Sequence, residues 1–330
     1  MSVRVSFLLF AYNHERFIEE ALRAALAQTC SSMEIIISDD GSSDGTAALI
    51  EDILATHDGL MPVRFIRNDQ NGGLASALNK AASLAKGEIL VAAAGDDRSA
   101  PDRASRLVES YDADPSIFCV FSNAHVVDEV GVRMRLHYSS PPKDKTLLAF
   151  AGPRTGLLGA TASYRKEVFR DFDPLTPDLL SEDWVLPLRA AILGRVVFED
   201  RPLVDYRVHS SNLSMALQPQ ATHLQGWIAK ERMGIDRAIS ILINRLADLQ
   251  TGLRLMPGRR DELIRVRKAT QVFLMRAKAE RQLLDGCGPV QGLKLTAKIL
   301  ANNGNRHVAW RWLQLAFPYI GFRRSLRSAK

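Results

Sequence analysis

The first hundred residues alternate short β-branched apolar runs with stretches of helical periodicity, and this alternation constrains the fold more than any other feature of the chain. Residues 3–10 form an apolar run too short for a helix, ending at the polar cluster Tyr12-Asn13-His14. Over residues 15–28, Phe17, Ile18, Ala21, Leu22, Ala25 and Leu26 recur at helical spacing, and residues 33–38 return to a strand pattern. The same reading predicts a helix over 46–56, a strand over 63–67, a helix over 74–85 and a strand over 89–93. Strand, helix, strand repeated in this way implies a doubly wound, mostly parallel sheet with right-handed crossovers. In such sheets ligands sit at the carboxyl ends of the strands, so the loops after each strand hold the candidate chemistry.

Three of those loops are polar. Tyr12-Asn13 follows the first strand, Asp39-Asp40-Gly41-Ser42-Ser43-Asp44-Gly45 the second, and Gly95-Asp96-Asp97 the fourth. A single Asp-Asp pair often does no more than make a turn or an N-cap. Two pairs on one sheet edge point to a site, because adjacent carboxylates repel unless a cation or a hydrogen-bonding ligand offsets them. Asp96 and Asp97 can hold a hard divalent cation, Mg²⁺ or Mn²⁺, that keeps open positions for diphosphate oxygens. Asp39 and Asp40 can accept hydrogen bonds from a base or a ribose. A dinucleotide-dependent dehydrogenase is excluded by the lack of a Gly-x-Gly-x-x-Gly turn after the first strand, and no Gly-x-x-x-x-Gly-Lys-Ser/Thr run allows a P-loop hydrolase.

Beyond residue 100 the pattern predicts strands over 118–121 and 159–165, a loop at Pro141-Pro142, and a helix from Glu182 to Leu193 with Ser181 as its N-cap. A strand over 195–198 precedes Tyr206-Arg207-Val208-His209. From residue 225 the reading is almost wholly helical, over 226–249, 260–284 and 307–327. Charge divides in the same place: residues 1–220 carry 22 Lys+Arg against 30 Asp+Glu, net −8, and residues 221–330 carry 21 against 7, net +14. We therefore expect a catalytic domain over 1–215 and a basic helical extension over 216–330. The extension either faces something anionic or is a solvated basic bundle. Its basic residues are interleaved with apolar helix positions and offer no stacking platform, so nucleic acid is not an expected partner. Cys30, Cys119 and Cys287 are too scattered for a zinc site or a disulfide framework, and no apolar run approaches a membrane span. A cytoplasmic location is the expectation.

The runs Val5-Ser6-Phe7-Leu8-Leu9-Phe10-Ala11-Tyr12-Asn13 and Glu34-Ile35-Ile36-Ile37-Ser38-Asp39-Asp40-Gly41-Ser42-Ser43-Asp44-Gly45-Thr46 resemble the opening of the family 2 glycosyltransferases. The resemblance continues through Asn71-Gly72-Gly73, Asn79, residues 86–90, Gly95-Asp96-Asp97 and Ser181-Glu182-Asp183-Trp184, covering about the first 210 residues. It implies a GT-A fold and inverting transfer of a sugar from a nucleotide-diphosphate donor with a divalent metal. UDP-sugars are the favoured donors, with dTDP and GDP allowed. Ala11, Tyr12 and Asp40 fall where the family contacts the nucleobase, and Asp96 and Asp97 on its DxD-like motif. Of these two, Asp97 is assigned to the metal and Asp96 to the ribose, with Asp96 as a second possible metal ligand. Asp183 falls on the general base, which removes the proton of the acceptor hydroxyl as it attacks. Glu182 is its fallback by one position and otherwise a first-turn charge complementing the helix dipole. His209 falls near the diphosphate and metal or is a hydrogen-bonded loop residue, and Trp184 flanks the acceptor or packs in the core.

Two departures stand out. Phe10-Ala11 replaces the family's frequent Pro-Thr, and Ala94-Gly95-Asp96-Asp97 replaces its frequent Asp-x-Asp-Asp. The lost first carboxylate keeps a second reading open, a non-catalytic protein that binds sugar nucleotides or acts as a scaffold on the same fold. The resemblance implies a glycan or lipid-linked acceptor of cell-surface polysaccharide synthesis. Within the last helical segment, Val308, Trp312 and Leu315 recur at helical spacing, flanked by Trp310, Phe317, Tyr319, Phe322 and six basic residues. That composition suits peripheral attachment to an anionic membrane at the inner face of the plasma membrane, or else packing on the catalytic domain or a second subunit.

Overall fold

In the computed structural model, which describes residues 3–57, 61–140, 146–153, 155–212, 223–285 and 315, the expected alternation becomes one half of a larger sheet. Strands β1 (Val5–Ala11), β2 (Met33–Asp39), β3 (Val63–Arg67) and β4 (Ile89–Ala94) pair in parallel in the order β3-β2-β1-β4. Helices α1 (Ile18–Leu26), α2 (Thr46–Ala55) and α3 (Leu74–Leu84) make the crossovers. Every residue of β1 and β2 is buried, because helices cover both faces, and this is why those runs are continuously apolar. Along β1, Val5, Phe7, Leu9 and Ala11 face α1 and α2, while Leu8 and Phe10 face α3.

The second half of the sheet mixes directions. It is built from β5 (Arg98–Ser99), β6 (Ile117–Val127), β7 (Arg133–Leu136), β8 (Ala162–Arg165) and β9 (Arg195–Arg207), with α4 (Arg103–Ala113), α5 (Glu167–Arg170) and α6 (Glu182–Leu193) between them. The described residues form a nine-stranded sheet whose order continues β4-β8-β6-β9-β5, with β7 on β6. β8 runs antiparallel to both β4 and β6, whereas β6 and β9 are parallel. The expected strands over 118–121 and 195–198 are the first stretches of much longer ones. The expected strand over 159–165 begins with a 3₁₀ turn, Gly159–Thr161, and is extended only from Ala162.

Two long helices follow, α7 (Leu224–Leu255) and α8 (Arg260–Leu284), at the positions their periodicity predicts. They share a core with α6, in which Leu188 and Ile192 meet Leu249, Leu263 and Val266. Arg189 of α6 and Asp248 of α7 form a fully buried ion pair, Nε to Oδ2 3.0 Å. Arg245 of α7 has no exposed surface and donates to the carbonyls of Trp184 (2.8 Å), Phe150 (2.7 Å), Thr155 (2.5 Å) and Gly152. Packing is therefore continuous across residue 215.

Leu315 is buried against Trp227, Ile235 and Leu283. The rest of the predicted helix over 307–327, together with Cys287 and Pro141-Pro142, lies outside the described residues. Among the described residues Cys30 and Cys119 are free, and no helix is long and apolar enough to cross a membrane.

Candidate active site

Strand register brings the polar loops together. Ala11 pairs with Asp39 and Phe10 with Ala94, so β1, β2 and β4 end level with one another. Ala11 offers a carbonyl that accepts the Asp40 N–H at 2.9 Å, and Tyr12 beyond it is exposed. Asn13 adopts a left-handed φ of 54° and accepts the Ser43 N–H at 2.9 Å, which ties the first loop to the second. Asp39 and Asp44 are consumed locally, by Ser42 and by Thr46 and Glu15 respectively. Asp40 accepts from Gly72 N–H (3.0 Å), Gly73 N–H (2.8 Å) and Asn68 Nδ2 (3.2 Å). A carboxylate offers about four acceptor positions, so Asp40 fastens the 68–73 loop with three of them.

The second pair is divided by its surroundings. Oδ2 of Asp96 meets His209 Nε2 at 3.1 Å and Asn212 Nδ2 at 3.2 Å, with His14 Nε2 at 3.7 Å. Burial opposes its charge, but the His209 hydrogen bond and the two imidazoles outweigh burial and hold its carboxyl below the usual range. Asp97 accepts the Arg207 N–H on Oδ1 at 2.8 Å, and its Oδ2 is buried with no partner among the described residues. Burial, then the charge of Asp96, pushes the Asp97 carboxyl well above the usual range. Gly95 passes so close to His14 that a Cβ there would lie 2.9 Å from Nδ1. A side chain at 95 would displace the ring.

Two arginines to which no sequence motif assigns a role, Arg207 and Arg103, hold this arrangement. Arg207, at the end of β9, donates to Asp96 O (3.0 Å), Glu129 O (2.8 Å) and Glu20 Oε2 (2.6 Å), and lies over Phe17. Phe17 in turn packs on the His209 ring, centroids 4.6 Å apart. Arg103, fully buried on α4, bridges Ala92 O (2.7 Å) and Ala160 O (2.8 Å), joining the end of β4 to the segment that abuts α6. Burial lowers its pKa to about 9, which leaves it charged at neutral pH.

At the head of α6, Asp183 is half-buried. Its Cβ stands 2.9 Å from where a Cβ of Gly159 would be, and its carbonyl accepts the Leu157 N–H at 3.1 Å. Burial, then the neighbouring Glu182, drives the Asp183 carboxyl well above the usual range, and burial raises Glu182. Trp184 packs against the core and against Gly156, with the Arg237 guanidinium over its ring at 5.4 Å. Beside this helix end lies a cleft of about 390 Å³ between the 178–181 loop and α7, lined by Leu179, Ser181, Arg232, Met233, Asp236 and Arg237. Arg237 and Arg245 have no motif to flag them; only their burial and partners do so.

The donor set at these strand ends is small. Asp96 Oδ2 and His209 Nε2 converge at 3.1 Å, and no group of three His, Cys, Asp or Glu able to hold a metal ion is found among the described residues. Two protein donors fit a cation that takes its remaining ligands from substrate phosphates and water, which is how Mg²⁺ is commonly bound.

Residues 6–172 match the family described as Glycosyl transferase family 2. An uncharacterised glycosyltransferase of Nostoc sp. is 26% identical over 260 residues, covering 76% of this chain and 78% of that one. The chondroitin synthase of Escherichia coli is 32% identical over 137 residues, 42% of this chain and 19% of its own. The poly-β-1,6-N-acetyl-D-glucosamine synthase of Staphylococcus epidermidis is 27% identical over 183 residues, 54% and 43%. The matched part thus spans less than half the length of either synthase. Among solved structures, the mannosyltransferase of Pyrobaculum calidifontis with GDP-Man and Mn²⁺ superposes with a TM-score of 0.50 at 19% identity, covering 96% of this chain and 87% of that one. TarS of S. aureus, residues 1–349 with UDP-GlcNAc, gives 0.50 at 16%, covering 84% and 92%. Both are GT-A glycosyltransferases, and this chain has the same fold.

Proposed function

The chain belongs to glycosyl transferase family 2, and from that premise we propose that it is an inverting, metal-assisted transferase moving a sugar from a nucleotide diphosphate to an acceptor hydroxyl. The observation that carries this reading is the pairing of Asp96 with His209 at the strand ends, in a sheet whose neighbouring helix α6 opens with Asp183. Solved relatives of the fold bind UDP-GlcNAc and GDP-Man, which supports a nucleotide-sugar donor; UDP-sugars are the first choice, ahead of dTDP and GDP.

In this reading Ala11, Tyr12 and Asp40 meet the base. Asp96 and His209 would hold the cation, with Asp97 as buried support in place of the ligand role that the family resemblance implies for it. A bound Mg²⁺ or Mn²⁺ would take up charge developing on the leaving diphosphate. Asp183 accepts the acceptor's proton as the hydroxyl oxygen bonds to the anomeric carbon. The bond from that carbon to the diphosphate breaks on the opposite face, its electron pair leaving with the diphosphate. The cleft beside α6 admits the acceptor, a glycan or lipid-linked saccharide.

A calorimetric titration of UDP, GDP and dTDP with and without Mn²⁺ tests the donor side. Tight binding is expected only for nucleotide and metal together, since two protein donors make a poor site alone. Equal affinity after chelation would remove the metal from the reading. Incubation with nucleotide sugars and oligosaccharides, and assignment of the product anomer by NMR, tests transfer. A retained anomeric configuration would overturn the inverting mechanism.

A further inference from the structure

The acidic pair that opens α6 is bracketed by one side chain from α7. Arg237 donates its Nε–H to Ser181 Oγ on one side of Glu182-Asp183, and its guanidinium lies over the Trp184 ring on the other. The neighbouring charges are otherwise engaged. Arg232 pairs with Asp285 at 2.9 Å, Asp236 with Arg281 at 2.6 Å, and Arg245 spends its donors on carbonyls. Arg237 has no carboxylate partner among the described residues within ion-pair distance, and it lines the cleft beside the pair.

We propose that Arg237 is a positioning residue for Asp183: held between Ser181 and Trp184, it supplies the positive charge that lets Glu182 and Asp183 both stay negative at a half-buried helix end. The proposal rests on the reading of Asp183 as general base. A base already protonated at working pH accepts nothing. Burial and mutual repulsion push both carboxyls toward the protonated form, and Arg237 opposes this at each of them, joined at Asp183 by Arg245. The first-turn amides of α6 act in the same direction as these cations. The long helix α7 would then complete a site otherwise built from the sheet edge and the head of α6.

The groups facing Asp183 are Glu182 on α6, Arg237 and Arg245 on α7, Tyr164 on β8 and Tyr138 just after β7. Both tyrosine pKa values are raised above the usual value, chiefly by burial, and Arg245 is lowered by burial only to about 10, so none of these three titrates between pH 5 and 8. Around Arg237 the cleft adds Asp178, Asp236 and Arg232. A carboxyl raised in the folded state contributes stability below its unfolded pKa and loses it as pH climbs toward the folded value. Removing the Arg237 charge extends that loss to higher pH.

The test is the Tm of wild type, Arg237→Gln and Arg237→Lys from pH 5 to pH 8, alone and combined with Glu182→Gln and Asp183→Asn. The deficit of Arg237→Gln is expected to widen by about 2 °C or more over this range. Arg237→Lys, which keeps the charge, should show a deficit that does not change with pH. In the doubly amidated background the widening should vanish. A deficit in Arg237→Gln that is constant with pH overturns the proposal and leaves Arg237 as packing. With transfer assays in hand, the pH at which kcat rises should move up by about one unit in Arg237→Gln, with KM for the donor unchanged; an unmoved pH profile also overturns it. A wild-type protein that transfers no sugar would end the base reading, while the Tm series still decides whether Arg237 carries the charge.

Discussion

Asp96 and Asp97 are identical neighbours in opposite environments, one beside two imidazoles and one sealed against the Arg207 amide. Asp97→Asn keeps an acceptor for the Arg207 N–H and removes a charge that burial and Asp96 disfavour, so it should change stability by less than about 1 kcal/mol and leave Mn²⁺-dependent UDP binding intact. Asp96→Asn should weaken that binding by about tenfold or more, as loss of a ligand would. Calorimetry on both variants checks the division, and the reverse result would restore Asp97 to the metal. The pair itself was legible in the sequence. The different surroundings of its two members were not, because they depend on which carboxylate β9 meets when it returns 110 residues later. Arg103 and Arg207 were invisible for a related reason: a lone arginine reads as surface, and only tertiary partners make burial tolerable.

At the scale of elements, α6 carries Asp183, the proposed base, on its first turn and a buried cation, Arg189, two turns later. Asp183→Asn keeps shape and removes the proton acceptor, so donor affinity should persist while transfer falls by on the order of a hundredfold. Should Asp183→Asn turn over normally and Glu182→Gln not, the base moves by one residue. Asp248→Asn strands Arg189 in the core and is expected to cost about 3–5 kcal/mol, read as a lower urea midpoint. The parallel strands and the helices around them were legible because full burial makes each strand a short unbroken apolar run. β6 and β9 were only half legible. β9 contains Glu199-Asp200-Arg201-Pro202, which reads as a turn, and the structure absorbs it as an irregularity where Ser122 pairs with Glu199 and Asn123 with Pro202. β7 is short and wholly exposed, so no burial pattern marks it.

For the whole molecule, the boundary at residue 215 marks a change of charge and composition. Ending the chain there would bare Leu188 and Ile192 and release the carbonyls that Arg245 satisfies, so the shortened protein is expected to aggregate on a sizing column. The basic segment 305–330 keeps its proposed role on anionic lipid, although Leu315, one of its apolar positions, is already spent on Trp227 and Leu283. Vesicle flotation at low salt checks this: loss of binding on removing 305–330 supports attachment, and unchanged binding with an unfolded enzyme makes the segment structural.

Interlocking through Arg189, Arg245 and Asp248 also bears on recombination between relatives. In the proposed reading the donor is met by loops in the first 215 residues, so an experimenter would naturally exchange that block to move specificity from one parent to another. Here such a crossover separates Arg189 from Asp248 and the 150–155 carbonyls from Arg245. A crossover after residue 285 transfers these partners together. Chimaeras joined at 285 should therefore fold and carry the donor choice of their amino-terminal parent, whereas those joined at 215 should survive only when both parents bring matching partners to the seam.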